Sequence, residues 1–94
     1  MRAFHLIQEK WVVFIVTALL REPLGFNELS RRATGVNPAT LKERMDLLEG
    51  ERVVTKTVIS TMPPRTEYRL TPAGLALRLV IEALALWGVE NYPD

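Results

Sequence analysis

The sequence predicts a mainly α protein carrying one small β-hairpin (α+β), folded as a single domain of 94 residues. Three observations predict it. The pairs Asn37-Pro38 and Thr71-Pro72 each place a capping side chain before a proline, which tolerates the first helical position because its missing N–H has no partner there. Between these starts, Val53–Ile59 (VVTKTVI) is β-branched and Thr66–Leu70 (TEYRL) alternates, as two strands do. Elsewhere apolar residues recur at helical spacing.

In order along the chain, residues from about Phe4 to Arg21 are strongly apolar, with polar breaks at Gln8, Glu9, Lys10 and Thr17, and Pro23 ends the run. This is either one long helix or two short ones meeting near Glu9–Trp11. Leu24-Gly25-Phe26 fits a stub of strand. Asn27–Ala33 reads as a two-turn helix with Asn27 as its cap and Glu28 at its positive end. Thr34-Gly35-Val36 is the break: Gly35 permits a left-handed backbone and Val36 can plug the core. The next helix runs from Ala39 to about Glu49, and Leu41, Met45 and Leu48 form its buried stripe. Ala39, Glu43 and Asp46 lie opposite, flanked by Lys42, with Thr40 and Arg44 at the sides. In the hairpin, Tyr68 is expected inside and Glu67 and Arg69 outside. The connection Ser60–Arg65 carries a proline pair, and a final helix spans about Ala73 to Val89.

Composition narrows the function. With 48% hydrophobic residues a packed core is possible, but a lone domain of this size is marginally stable, so surplus apolar surface points to an oligomer. The absence of cysteine excludes disulfides, thiolate metal sites and thiol redox sensing, and His5 alone cannot make a metal site. No cofactor is expected. Net charge is +1, yet residues 25–70 hold eight basic against six acidic side chains while residues 71–94 hold one against three. The basic middle is compatible with a footprint on phosphate. The run Trp11–Leu20 reaches only about 15 Å as a helix, and Ala73–Trp87 carries Arg78 and Glu82 in its middle, so neither is expected to span a membrane. No signal peptide is read at the N-terminus, and a cytoplasmic location without membrane partners is expected. No nucleophile–base set, phosphate loop or paired-carboxylate site is present, so no enzyme is expected.

Two helices joined by a glycine turn and followed by a hairpin make a winged helix-turn-helix, flanked here by extra N- and C-terminal helices at about 4–21 and 72–89. In such folds the second helix enters the DNA major groove by its N-terminal residues. The candidates for that contact are Asn37, Pro38, Ala39, Thr40, Lys42, Glu43 and Arg44. Thr40 can meet a base edge, Glu43 can accept from a cytosine amino group, and Arg44 or Lys42 can reach guanine or phosphate. Candidate wing and phosphate contacts are Asn27, Arg32, Lys56 and Arg65. Pro63 and Pro64 would hold the wing extended, sparing the ordering cost of a floppy loop on binding, and Arg65 supplies a permanent charge for a narrow minor groove. The last helix is apolar on most sides. Trp11, Leu75, Leu79, Leu86 and Trp87 are candidates for a dimer interface, and an effector, if one exists, would lodge between the first and last helices near the tryptophans. A competing reading is a winged-helix adaptor for protein contact without DNA binding.

The motifs Lys10-Trp11, Phe26-Asn27-Glu28-Leu29, Val36-Asn37-Pro38 with Leu41 and Arg44, Leu48-Glu49, and above all PPRTEYRLTPAG over Pro63–Gly74 resemble the HxlR-type winged helix-turn-helix regulators of bacteria and archaea. The resemblance covers roughly residues 9–88. It implies a homodimer on double-stranded DNA at a pseudo-palindromic operator, acting on transcription, with Pro38–Leu48 as recognition helix, Ser60–Arg65 as wing, and dimer contacts from the first and last helices. The chain departs from the family pattern at several places. Gln8-Glu9 stand where the family has Gly-Gly, and Ala39 where many members are basic. Arg52 fills a slot usually held by glycine, so the recognition helix ends sooner or Arg52 takes a left-handed backbone. The cysteine through which some members sense oxidants is missing.

Overall fold

Trp11 breaks the N-terminal apolar run. Its backbone is left-handed (φ 78°), so the helix named α1 here runs from Val12 to Arg21, and the helical residues His5 and Leu6 lie ahead of the turn. Two segments meeting near Glu9–Trp11 is therefore the alternative the chain adopts. The computed structural model describes residues 5, 6, 9 and 11–92; the expected start at Phe4 and the breaks at Gln8 and Lys10 lie outside the described residues. After α1 come α2 (Phe26–Arg32), α3 (Pro38–Gly50), strands β1 (Val54–Thr61) and β2 (Pro64–Leu70), and α4 (Pro72–Asn91).

Each boundary has a local cause. Leu24 bridges Tyr68 of β2, with Tyr68 N–H donating to Leu24 O at 2.7 Å and Leu24 N–H to Tyr68 O at 3.2 Å, so the expected stub is realised at Leu24 alone, since Phe26 already belongs to α2. Asn27 does not cap α2. Gly25 occupies that position, and the Glu28 carboxylate accepts from the Gly25 N–H at 3.1 Å, so the cap stands at Gly25 and the helix opens at Phe26, ahead of Asn27. Gly35 sits at φ 96°, the left-handed turn that joins α2 to α3. Asn37 caps α3 as expected, its Oδ1 accepting from Ala39 N–H at 2.7 Å. α3 continues to Gly50, and Arg52 then takes the left-handed conformation at φ 61°.

The strands are longer and the wing loop shorter than expected. β1 and β2 pair antiparallel from Val54↔Leu70 to Thr61↔Pro64, leaving Met62-Pro63 as the turn, with a cis bond between them. The cis-proline turn replaces the glycine or asparagine of common hairpins. Pro64 can pair there because it is the first residue of its strand, where its absent N–H is tolerated. The register slips between Val58 and Ser60, so Ile59 is an extra residue that bulges the strand and increases its twist toward the tip.

The core joins Val12, Ile15, Val16 and Leu19 of α1, Leu24, Leu29, Val36, the Leu41–Met45–Leu48 stripe, Val53, Val54 and Tyr68. Helix α4 starts at a tight junction. Thr71 Oγ1 accepts from Gly74 N–H at 3.1 Å, and a Cβ on Gly74 would fall well inside contact distance of the Val53 carbonyl, so only glycine fits. Of α4's side, Leu77 and Ile81 turn toward the core, where the helix packs against α1 and β2. The rest is uncovered. With 20 residues and a mean hydropathy of 1.5, α4 is long and apolar enough to cross a membrane by length and composition alone, Arg78 and Glu82 included. Those two charges lie 3.6 Å apart and both face solvent.

Candidate nucleic-acid interface

The burial of Leu41, Met45 and Leu48 decides which residues α3 presents. Pro38, Ala39, Lys42 and Glu43 are exposed and Thr40 is half-buried, so the N-terminal part of the helix stands outward as the candidates require. Its charge is largely cancelled within the chain. Lys42 Nζ donates to Asp46 Oδ1 at 2.7 Å, and that carboxylate holds the ammonium above its ordinary pKa. Arg44 lies at the side of the helix with its side chain 21% exposed, 3.6 Å from the Glu9 carboxylate and 3.8 Å from that of Glu43. The outward face therefore offers hydrogen-bonding groups with little net positive charge.

The wing carries exposed cations. Lys56 stands opposite Tyr68 and Arg65 opposite Ser60; both are exposed, and among the described residues neither enters an ion pair. Beside Arg65 the wing exposes Val58, Ile59 and Met62, the last at 91%. Glu67 and Arg69 bond to each other at 2.8 Å, while Tyr68 is buried between them as expected, and burial pushes its phenol above the ordinary pKa. The tip half of the wing and the start of α2 share a cleft lined by Asn27, Glu28, Arg65 and Glu67. Asn27 is thus brought beside Arg65, but Glu28 already takes the Gly25 N–H of that helix end. Arg32 is paired with Glu22 at 3.6 Å, both side chains being solvent-facing, so the pairing is weak.

The other candidate surface is α4. Leu75, Leu79, Val80, Leu84, Leu86 and Trp87 are exposed, and Leu79, Val80, Ala83, Leu84 and Trp87 line a shallow apolar groove. Trp11, half-buried, packs edge-on to Phe14 at 6.0 Å, and Trp87 packs on Tyr92 at 5.3 Å. Sequence reasoning did not find Glu9 and Asp46 as partners of the recognition-helix cations. Asp46 had a readable signal, the (i, i+4) spacing from Lys42. Glu9 had none, because its pairing with Arg44 exists only through the tertiary fold.

Helix-turn-helix, hairpin and uncovered terminal helix together define a winged helix-turn-helix of the class of DNA-binding transcription regulators. The HxlR-like helix-turn-helix family profile matches residues 6–94, and the chain belongs to that family. Among relatives, the HTH-type transcriptional regulator YvaP of Bacillus subtilis is 34% identical over 95% of this chain and 82% of its own length. The regulator YtfH of Escherichia coli is 31% identical over 94% of this chain and 70% of its own. Among solved structures, the reduced form of the transcriptional regulator YodB from B. subtilis superimposes with a TM-score of 0.90 at 27% identity, covering 98% of this chain and 90% of that one.

Proposed function

We propose that this chain acts in the cytoplasm as a homodimeric, sequence-specific DNA-binding regulator of transcription, with α3 in the major groove and the wing at the minor groove. The observation that carries it is the outward face of α3, where Asn37 caps the helix and Pro38, Ala39, Thr40, Lys42 and Glu43 stand clear of the core. Arg65 and Lys56 supply the phosphate-directed charge, with Asn27 and Arg32 as flanking contacts. The exposed face of α4, with Leu75, Leu79, Leu86 and Trp87, is covered by a second copy, and Trp11 lies at the edge of that contact. Two recognition helices spaced about one DNA turn, roughly 34 Å, then meet a pseudo-palindromic operator. On this reading the chain has no catalytic activity.

Selection of duplexes from a random pool, followed by fluorescence anisotropy across a salt series and sedimentation of the free protein, tests the proposal. Enrichment of a two-fold-related sequence bound by a dimer, with affinity falling as salt rises, is the expected result. A protein that selects no duplex at low salt, or that partitions into lipid vesicles through α4 instead of dimerising, would sink it.

A further inference from the structure

We propose that Glu9 and Arg44 form a positioning pair, through which the segment ahead of α1 sets the placement of the recognition helix, and that Arg44 does not itself touch DNA. This rests on the DNA-binding reading above and assigns one of its candidate residues a different task.

The geometry of α3 argues against Arg44 as a reader. Arg44 lies three residues after Leu41 and four before Leu48, both fully buried, so it shares their side of the helix. Ala39 and Glu43 face the other way. Its guanidinium instead reaches toward the chain's own N-terminal segment, 3.6 Å from the Glu9 carboxylate, with the side chain 21% exposed. The Arg44 side of the pair is shielded by the fold while the Glu9 side chain is 46% exposed, so solvent and salt screen the pair from the Glu9 side.

Glu9 is well placed for such a task. Its N–H donates to the Leu6 carbonyl and its own carbonyl accepts from Val12 N–H, each at 3.2 Å, so its backbone is tied on both sides. The left-handed Trp11 turns the chain between Glu9 and α1. The same segment faces α3 along a small cleft lined by His5, Leu6, Glu9, Leu47 and Glu51. The pair therefore bridges a strained turn and the side of the recognition helix. A shift of the N-terminal segment is transmitted to α3 through it, and a free Arg44 would add charge near the DNA without adding sequence information.

The test uses the parent protein, Arg44→Gln, Glu9→Gln, Arg44→Glu, and the reversed pair Glu9→Arg with Arg44→Glu. Each is titrated by anisotropy, over a salt series, against a labelled duplex that the parent selects from a random pool. Each single neutralisation is expected to lower affinity by about 3- to 10-fold, with the slope of log K against log salt unchanged. The reversed pair is expected to recover most of the loss. The proposal is overturned if Arg44→Gln makes the slope shallower by about one, if Glu9→Gln tightens binding, or if the reversed pair binds no better than Arg44→Glu alone. A parent that selects no duplex overturns the DNA-binding reading instead. The pair is then judged on urea unfolding, where coupled effects of the two neutralisations support it and additive effects overturn it.

Discussion

The hydroxyl of Thr71 lies 2.6 Å from the carbonyl oxygen of Arg52 and donates to it, while accepting from Gly74 N–H at 3.1 Å. One side chain thus caps α4 and ties that helix to the residue that turns the chain out of α3. The recognition helix and the candidate dimer helix are consequently held in fixed relation through the base of the wing, where Thr71 N–H also donates to Val53 O at 3.0 Å.

Thr71→Val keeps the shape of the side chain and removes both bonds. It is expected to lower the unfolding free energy by about 1–2 kcal/mol, measured by urea denaturation. An unchanged midpoint would mean that water replaces the hydroxyl at this junction.

Arg52→Gly should do the opposite. A side chain in the left-handed region costs about 1–2 kcal/mol, and glycine returns part of that as unfolded-state entropy, about 0.5–1 kcal/mol. A net stabilisation of about 0.5–1 kcal/mol is expected, with the fold and its φ of 61° retained. Loss of stability would show that the exposed Arg52 side chain makes a contribution larger than the strain it carries.

Arg65→Ala removes the exposed wing cation nearest the tip. Affinity for any duplex should fall roughly uniformly, and the salt slope should become shallower by about one. Lys56→Ala is expected to act in the same direction. A slope that does not move with either substitution would take the wing off the phosphate backbone.

Leu79→Glu places a charge on the uncovered face of α4. Leu79 is 68% exposed in the single chain, so the fold of one copy should be unaffected. Sedimentation should show a shift from dimer to monomer and, with it, loss of two-site operator binding. A dimer that survives this substitution would place the contact elsewhere.

Much of this architecture is legible because its signals are local. Asn37-Pro38 and Thr71-Pro72 specify helix starts by capping chemistry alone, and both starts fall where those residues stand. Gly35 marks a left-handed turn, and the Leu41–Met45–Leu48 spacing marks the buried stripe. The errors lie where two locally adequate solutions compete. Asn27 is a fair cap by type, but Gly25 together with the Glu28 carboxylate caps first, since the bridge between Leu24 and Tyr68 fixes where the chain enters the helix. The wing loop is shorter than expected because pairing extends through Thr61 and Pro64, leaving only Met62-Pro63 as the turn.

By itself, then, the sequence determined the order of helices and strands, the faces that enter the core and the helix that a single copy leaves greasy, because periodicity and caps act within a few residues of one another. Only the tertiary structure decided which cations are free. Lys42 bonds to Asp46 within its own helix, as their spacing allows, but Arg44 is held by Glu9 across the fold, while Arg65 stands exposed on the wing. Charge pairing depends on distance in space, and the approach of Glu9 to Arg44 is set by the turn at Trp11 and the packing around it.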